Sequence, residues 1–167
     1  ERSGVVNIGI EGMMTIGAFT GAVMGLTTGN GWIAFFCAGL AGALFGLIHA
    51  FACISCHADQ TIAGTAINFL GPGLALFLCK AMYSNSSDTP AMDPSCKLPK
   101  LFEGVFPTGS FWNNVLNVYA VAYLVFVLAF ICWFVFYKTR FGAHLRAVGE
   151  HPEACESLGI DVYKVRY

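Results

Sequence analysis

Residues 115–137 read VLNVYAVAYLVFVLAFICWFVFY and run straight into residues 138–167, KTRFGAHLRAVGEHPEACESLGIDVYKVRY. The first stretch is apolar and, at 1.5 Å per helical residue, long enough to cross a hydrocarbon core of about 30 Å. The second holds five of the nine basic side chains. A charged segment leaving a membrane span is a topology anchor or a docking surface, and here both are expected. Within it, residues 151–159 carry the punctuation of a short helix. Pro152 suits the first turn, where its missing N–H is not needed. Glu153 and Glu156 sit where carboxylates favour the helix dipole. Gly159 can take the left-handed conformation that closes a helix. Ala154, Cys155 and Leu158 are expected on one apolar side, flanked by Arg146 and Lys164. So short a helix is marginal without a surface to pack on; a resting place on lipid headgroups is the plainer alternative to a partner protein.

Composition sets the class of the whole chain. Its 167 residues are 56% hydrophobic and 11% charged, with mean hydropathy +0.65, against about 25% charged residues in an ordinary soluble domain. So few charges cannot cover a water-facing surface, so the chain is an integral membrane protein. A net charge of −1 gives no reason to expect a nucleic-acid partner. The expected fold is all-α, a polytopic transmembrane bundle of about four spans at 5–27, 32–55, 60–83 and 114–137. A long outer loop at 84–113 and a charged cytoplasmic loop at 138–167 complete it. Gly17, Gly21, Gly25 and Gly29 recur every fourth residue in span one, and Ala38, Gly42 and Gly46 in span two. This spacing lets helix backbones approach closely in lipid. Gly71-Pro72-Gly73 in span three predicts either an interruption or a kink. Lys138, Arg140 and Arg146 place the end of span four on the cytoplasmic side. Four spans then put the N-terminus and residues 57–59 on that same side. Glu1 and Arg2 precede a glycine-rich span too long for a cleavable signal. The outer loop holds four of the six prolines, a glycosylation sequon at Asn85 and a candidate re-entrant piece at 101–106.

Three stretches, in order, carry a resemblance. Gly142-x3-Arg146-Ala147-x-Gly149-x4-Ala154-x4-Gly159-Ile160 resembles the cytoplasmic loop of ABC-transporter permeases, in the branch with simple-sugar, nucleoside and branched-chain amino-acid importers. Glu153-Ala154-Cys155-x3-Gly159 is similar to their Glu-Ala-Ala-x3-Gly loop, departing only at Cys155. Ser3-Gly4-Val5-Val6-Asn7-Ile8-Gly9-Ile10-Glu11-Gly12-Met13-Met14 resembles an early membrane segment of the sugar and nucleoside permeases. Ala58-Asp59-Gln60-Thr61-Ile62-x-Gly64-Thr65-Ala66-Ile67-Asn68 resembles another. The resemblance implies a coupling helix seated in a cleft of a separate ABC ATPase subunit, which carries the ATP and Mg. It also implies a second permease subunit, an extracellular or periplasmic substrate-binding protein, and residence in the cytoplasmic (inner) membrane. The implied function is import of a small polar solute, a simple sugar or nucleoside, by ATP-driven alternating access. The implied coupling residues are Arg146, Gly149, Glu153, Ala154, Cys155, Leu158 and Gly159. The chain begins at Glu1 and stops just after the docking helix, so a fragment of a longer permease is expected.

The residues themselves supply candidates for a solute path. Charged groups at membrane depth cost about 2.5–3.5 kcal/mol on insertion scales, so they face a cavity, a partner or the interface. Glu11 is the carboxylate of span one, and Asn7 is one helical turn before it. Thr65 and Asn68 offer hydrogen bonds just before Gly71-Pro72-Gly73. Snorkelling of Glu11 and helix-to-helix bonding of Thr65 and Asn68 are the structural alternatives. His49, deep in span two, is expected to bond a neighbouring helix. Neither a nucleophile–base pair, a Walker motif nor metal-ligand spacing is visible, so this chain is expected to bind no cofactor and to be no enzyme. One motif stands apart: Cys53-Ile54-Ser55-Cys56-His57 spells C-x-x-C-H, the attachment pattern of c-type haem. A membrane electron carrier is therefore one alternative function, and an ATP-independent channel or carrier another. Cys37, Cys53, Cys79 and Cys132 lie in apolar runs, where cysteine is a small hydrophobe, and Cys96 falls in the polar outer loop.

Overall fold

The computed structural model describes residues 3–84, 86–91, 98 and 118–167. The expected sequon, the re-entrant piece, Cys96, and the start of span four at 114–117 lie outside them. The described residues form helices and no β-strand: α1 Ile10–Thr28, α2 Gly31–Ala50, α3 Gln60–Met82, α4 Ala120–Lys138, α5 Arg140–Glu150, α6 Pro152–Ser157 and α7 Val162–Arg166. A π-helical turn, Phe51–Ser55, extends α2. Four helices, with α2 counted through Ser55, are long and apolar enough to cross a membrane.

Their boundaries follow from side-chain caps. Asn30 accepts the N–H of Trp32 at 3.0 Å to start α2. Asp59 accepts those of Thr61 and Ile62 at 2.8 and 3.0 Å to start α3. Each satisfies donors that no helical carbonyl can reach. Gly29 was expected in the small-residue seam; instead it ends α1 in the left-handed region at φ 65°, its N–H on the Gly25 carbonyl.

α1 packs against both α2 and α3, and α2 and α3 touch little. On the α2 side a Cβ at Gly17 would lie 3.1 Å from the Ala38 carbonyl, and one at Gly21 3.2 Å from Ala38 Cβ. The expected seam is there, although Gly46 has nothing near it. On the α3 side the backbones come closer still. A Cβ at Gly71 would lie 2.7 Å from Gly12 Cα, and one at Gly12 2.9 Å from Asn68 Cα. Ile16, Phe45, Ile67 and Ala75 fill the small core between the three helices, with Met13, Phe19 and Leu74 around it. Phe69 and Leu40, 78% and 71% exposed, face outward as lipid-facing residues do. α4 buries no residue, in keeping with a span that faces lipid.

Two backbone expectations need correction. The interruption at Gly71-Pro72-Gly73 is absent: α3 runs unbroken through Pro72. Proline removes one helical hydrogen bond, but Gly71 is clamped against Gly12, while Pro72 and Gly73 are exposed. The irregular backbone lies elsewhere. Span one is helical only from Ile10, and residues 5–8 before it belong to no helix.

Candidate functional site

The non-helical N-terminal segment, residues 4–9, needs partners for its backbone groups, because lipid supplies none. Side chains of α2 and α3 provide them. Gln60 accepts the Val6 N–H at 2.7 Å and donates to the Gly4 carbonyl at 3.4 Å. His49, 3% exposed, donates from Nε2 to the Val6 carbonyl at 3.3 Å. Asn68 donates to the Ile8 carbonyl at 3.0 Å and accepts the Gly12 N–H at 2.8 Å. Asn7 folds back on its own segment, accepting the Gly9 N–H at 3.0 Å, with its amide nitrogen 3.6 Å from Met13 Sδ.

This geometry relocates the solute-path candidates. Asn7 precedes α1, so it does not share a helix face with Glu11. Both amide groups of Asn68 are engaged with backbone. Glu11 is exposed in the first turn of α1, where a carboxylate complements the helix dipole. Thr65 is exposed, and its hydroxyl donates to the Thr61 carbonyl of its own helix. His49 bonds the non-helical segment rather than a neighbouring helix.

The charged tail is more structured than a loop with one short helix. Thr139 accepts the Gly142 N–H at 3.3 Å and starts α5 directly after α4. The corner requires glycine: a Cβ at Gly142 would sit 2.6 Å from the Phe136 carbonyl carbon. Arg146 of α5 reaches back over the Tyr137 ring at 5.4 Å, a cation–π contact that ties α5 to the end of α4. Val148 on α5, Cys155 on α6 and Val162 on α7 are buried together, with Ile160 and Val165 against them. Gly159, φ 79°, closes α6, and the Ile160 N–H returns to the Cys155 carbonyl at 3.0 Å. Asp161 caps α7 by accepting the Lys164 N–H at 3.1 Å. That bond, then the Lys164 ammonium, hold its carboxyl below the ordinary carboxylate range. The cap is therefore present at neutral pH and lost as acid protonates it through that lowered value.

The apolar side expected for α6 is divided. Cys155 is 4% exposed, inside the unit, whereas Ala154 and Leu158 point out, Leu158 at 79%. Val148 and Val162 cover only a narrow strip of so short a helix, and α6 ends at Ser157, leaving Leu158 at its cap. Glu153 is exposed beside Ala154, and Gly149 is partly buried.

The unit meets the N-terminal segment. Gly149 Cα and the Arg166 guanidinium lie 3.6 Å from the place of a Gly4 Cβ. The Ser55 and Tyr167 hydroxyls are hydrogen-bonded. A cavity of about 220 Å³ lies between, lined by Val5, Gln60, Glu153, Glu156, Tyr163 and Arg166 among others. The N-terminal segment, the α2–α3 connection and α5–α7 thus gather at one end. The C-x-x-C-H stretch falls there too. Cys53 is buried with its sulfur 3.7 Å from the His49 ring, while Cys56 and His57 are exposed. The two sulfurs therefore do not open onto one surface, as two thioether bonds to one haem require.

Sequence reasoning missed Gln60, whose side chain has no distinctive spacing, and all of α5. The Asn7-x-Gly9 pattern before α1 was the available signal for the non-helical segment.

Comparison with known proteins agrees with this architecture. The family model for the branched-chain amino acid transport system / permease component matches residues 1–167. The guanosine ABC transporter permease protein NupQ of Bacillus subtilis is 46% identical over the whole chain, which covers 54% of that protein. The nucleoside ABC transporter permease protein NupC of Lactococcus lactis is 36% identical, again over the whole chain and 54% of the relative. The putative glucose ABC transporter permease protein TsgC13 of Haloferax volcanii is 34% identical over the whole chain and 50% of its own length. The chain thus spans about half the length of the curated relatives it matches, and they lend the haem reading no support. No solved structure matches. A match over every residue, with four apolar helices and a folded charged unit at one end, places the chain in the cytoplasmic membrane as a multi-pass protein of the branched-chain amino acid transport system / permease component family.

Proposed function

We propose that the chain is part of the permease of an ABC importer that takes up a nucleoside, driven by ATP hydrolysis on a separate subunit. The observation that carries this reading is the build of α6. Cys155 anchors it from inside, and Glu153, Ala154 and Leu158 are left exposed. A peg held by its own core and bare on its outer side suits insertion into another protein. The names of the relatives at 46% and 36% identity favour a nucleoside over a sugar. A second permease subunit and an external binding protein complete the proposed assembly. Glu11 and Thr65, exposed on α1 and α3, border the solute route in this reading, and Asn7 and Asn68 shape its inner end through the non-helical segment.

The test uses the complete transporter with its ATPase and binding protein in proteoliposomes. Glu153→Arg reverses a charge on the exposed side of α6, and Gly149→Trp inserts bulk where α5 meets Gly4. Both are expected to abolish ATP-coupled guanosine uptake while the protein still inserts. Full ATP-coupled uptake in both variants would reject the docking assignment. Uptake of labelled glucose that excess guanosine does not compete away would reject the nucleoside.

A further inference from the structure

We infer that residues 4–9 are the link by which movement of the α5–α7 unit reaches α1, and that Gln60 is the positioning residue holding this link in register. The inference rests on the permease reading above and names the connection that reading requires.

The segment is built for such a role at both ends. At its outer end Gly4 lies against Gly149 and Arg166, and Val5 faces the cavity that α6 and α7 line. Movement of the α5–α7 unit therefore reaches this segment through Gly149 and Arg166, beside its contact with the end of α2 through Tyr167 and Ser55. At its inner end the segment runs directly into α1, where Gly9, Gly12, Gly64 and Gly71 bring α1 and α3 into near backbone contact. A Cβ at Gly64 would lie 3.0 Å from the Gly9 nitrogen. Packing that tight has little slack, so a push on the segment moves α1 and α3 as a pair rather than separating them.

Between these ends the segment makes no helical hydrogen bonds of its own. Its shape depends on side chains from other elements, and Gln60 is the one nearest the α5–α7 unit. Gln60 bonds Val6 and Gly4 together and also lines the cavity. Removing its amide releases Gly4 and the Val6 N–H next to the α5–α7 unit, while His49 still holds the Val6 carbonyl. The Asn68 bonds at Ile8 and Gly12 still hold α1 to α3. Asp59 still caps α3, so the helix start does not depend on Gln60. The cavity beside it leaves room for α6 to shift. A chain of contacts is not yet coupling, and the measurement must read coupling rather than folding.

The experiment compares solute moved per ATP hydrolysed in the complete transporter, for wild type, Gln60→Met and Gln60→Glu. Methionine keeps the length and removes both hydrogen bonds. Glutamate keeps an acceptor for the shorter bond, that to Val6 N–H. Gln60→Met is expected to retain its ATPase subunit and its hydrolysis rate while solute per ATP falls about tenfold, a loss of coupling of the size allosteric links carry. Gln60→Glu is expected to recover most of it. A merely structural role would lower hydrolysis and uptake in step and leave the ratio unchanged. That outcome, or wild-type ratios in Gln60→Met, overturns the link while leaving the permease reading standing. A wild-type preparation that carries no ATPase overturns both.

Discussion

Gly12→Val and Gly71→Val are each expected to eliminate folded protein, more completely than any other single substitution in the membrane region. The reason is the material that surrounds the missing side chain. A Cβ at Gly12 would overlap the Ile67 carbonyl and sit 2.9 Å from Asn68 Cα; one at Gly71 would overlap the Gly12 carbonyl and sit 2.7 Å from Gly12 Cα. These obstacles are backbone, which cannot rotate away as a side chain can. Overpacking a core whose side chains can adjust costs about 1–3 kcal/mol. Here α1 and α3 must separate, which forfeits the Ile16, Ile67 and Ala75 packing and the Asn68 bonds to Gly12 and Ile8 at once. Against a marginal total stability the folded fraction should fall at least about tenfold. Size-exclusion profiles of a fluorescent fusion of the complete protein in mild detergent read this directly. Gly39→Val, Gly46→Val and Gly73→Val are the controls, since nothing lies within 4 Å of a Cβ at those positions, and they should elute as wild type. A normal peak for Gly12→Val would mean that α1 and α3 do not cross where the structure puts them.

That crossing also marks the limit of what the sequence discloses. The spans are legible because apolar length is a local property, and so are the caps at Asn30, Asp59 and Gly159. The Gly17 and Gly21 seam could be read because four-residue spacing defines a helix face. Gly64 and Gly71, seven residues apart, also share a face of α3, but they are joined to Gly9 and Gly12 by a contact between segments distant in sequence. The same limit explains Pro72. Its local chemistry argues for a break or a kink, but α3 continues unbroken through it with Gly71 packed against α1. Asn68 could be read either as a solute ligand or as a bond to a neighbouring helix, and the groups that occupy its amide, the Ile8 carbonyl and the Gly12 N–H, lie sixty and fifty-six residues earlier. In the α5–α7 unit, Pro152, Glu153 and Gly159 announced α6. The split between Cys155 inside and Leu158 outside depends on where α5 and α7 fold, which six residues of helix cannot specify.

Val148→Asp and Leu158→Asp should therefore behave as opposites, although both put a carboxylate in place of an aliphatic side chain in the same unit. Val148 is 0% exposed and touches the Cys155 and Val162 side of the cluster. Its burial contributes about 1.5–3 kcal/mol, and an unpaired carboxylate in its place adds a desolvation penalty of several kcal/mol. A unit of three short helices has no reserve of that size, so α5–α7 should open. Proteolysis follows the population of the open form when closing is fast. Trypsin cleavage at Arg146, Lys164 and Arg166 in the complete transporter should then accelerate by well over tenfold, roughly what a loss of more than 1.4 kcal/mol implies. Leu158 is 79% exposed and lies outside the buried Val148, Cys155 and Val162 cluster. Leu158→Asp should leave cleavage rates at wild-type level and, under the docking proposal, weaken retention of the ATPase, because a charge then sits on the exposed side of α6. If Val148→Asp resists trypsin as wild type does, the cluster is not what holds α6 in place. If Leu158→Asp keeps its ATPase at full strength, the exposed side of α6 is not the surface that the ATPase grips, however firmly Cys155 anchors the other.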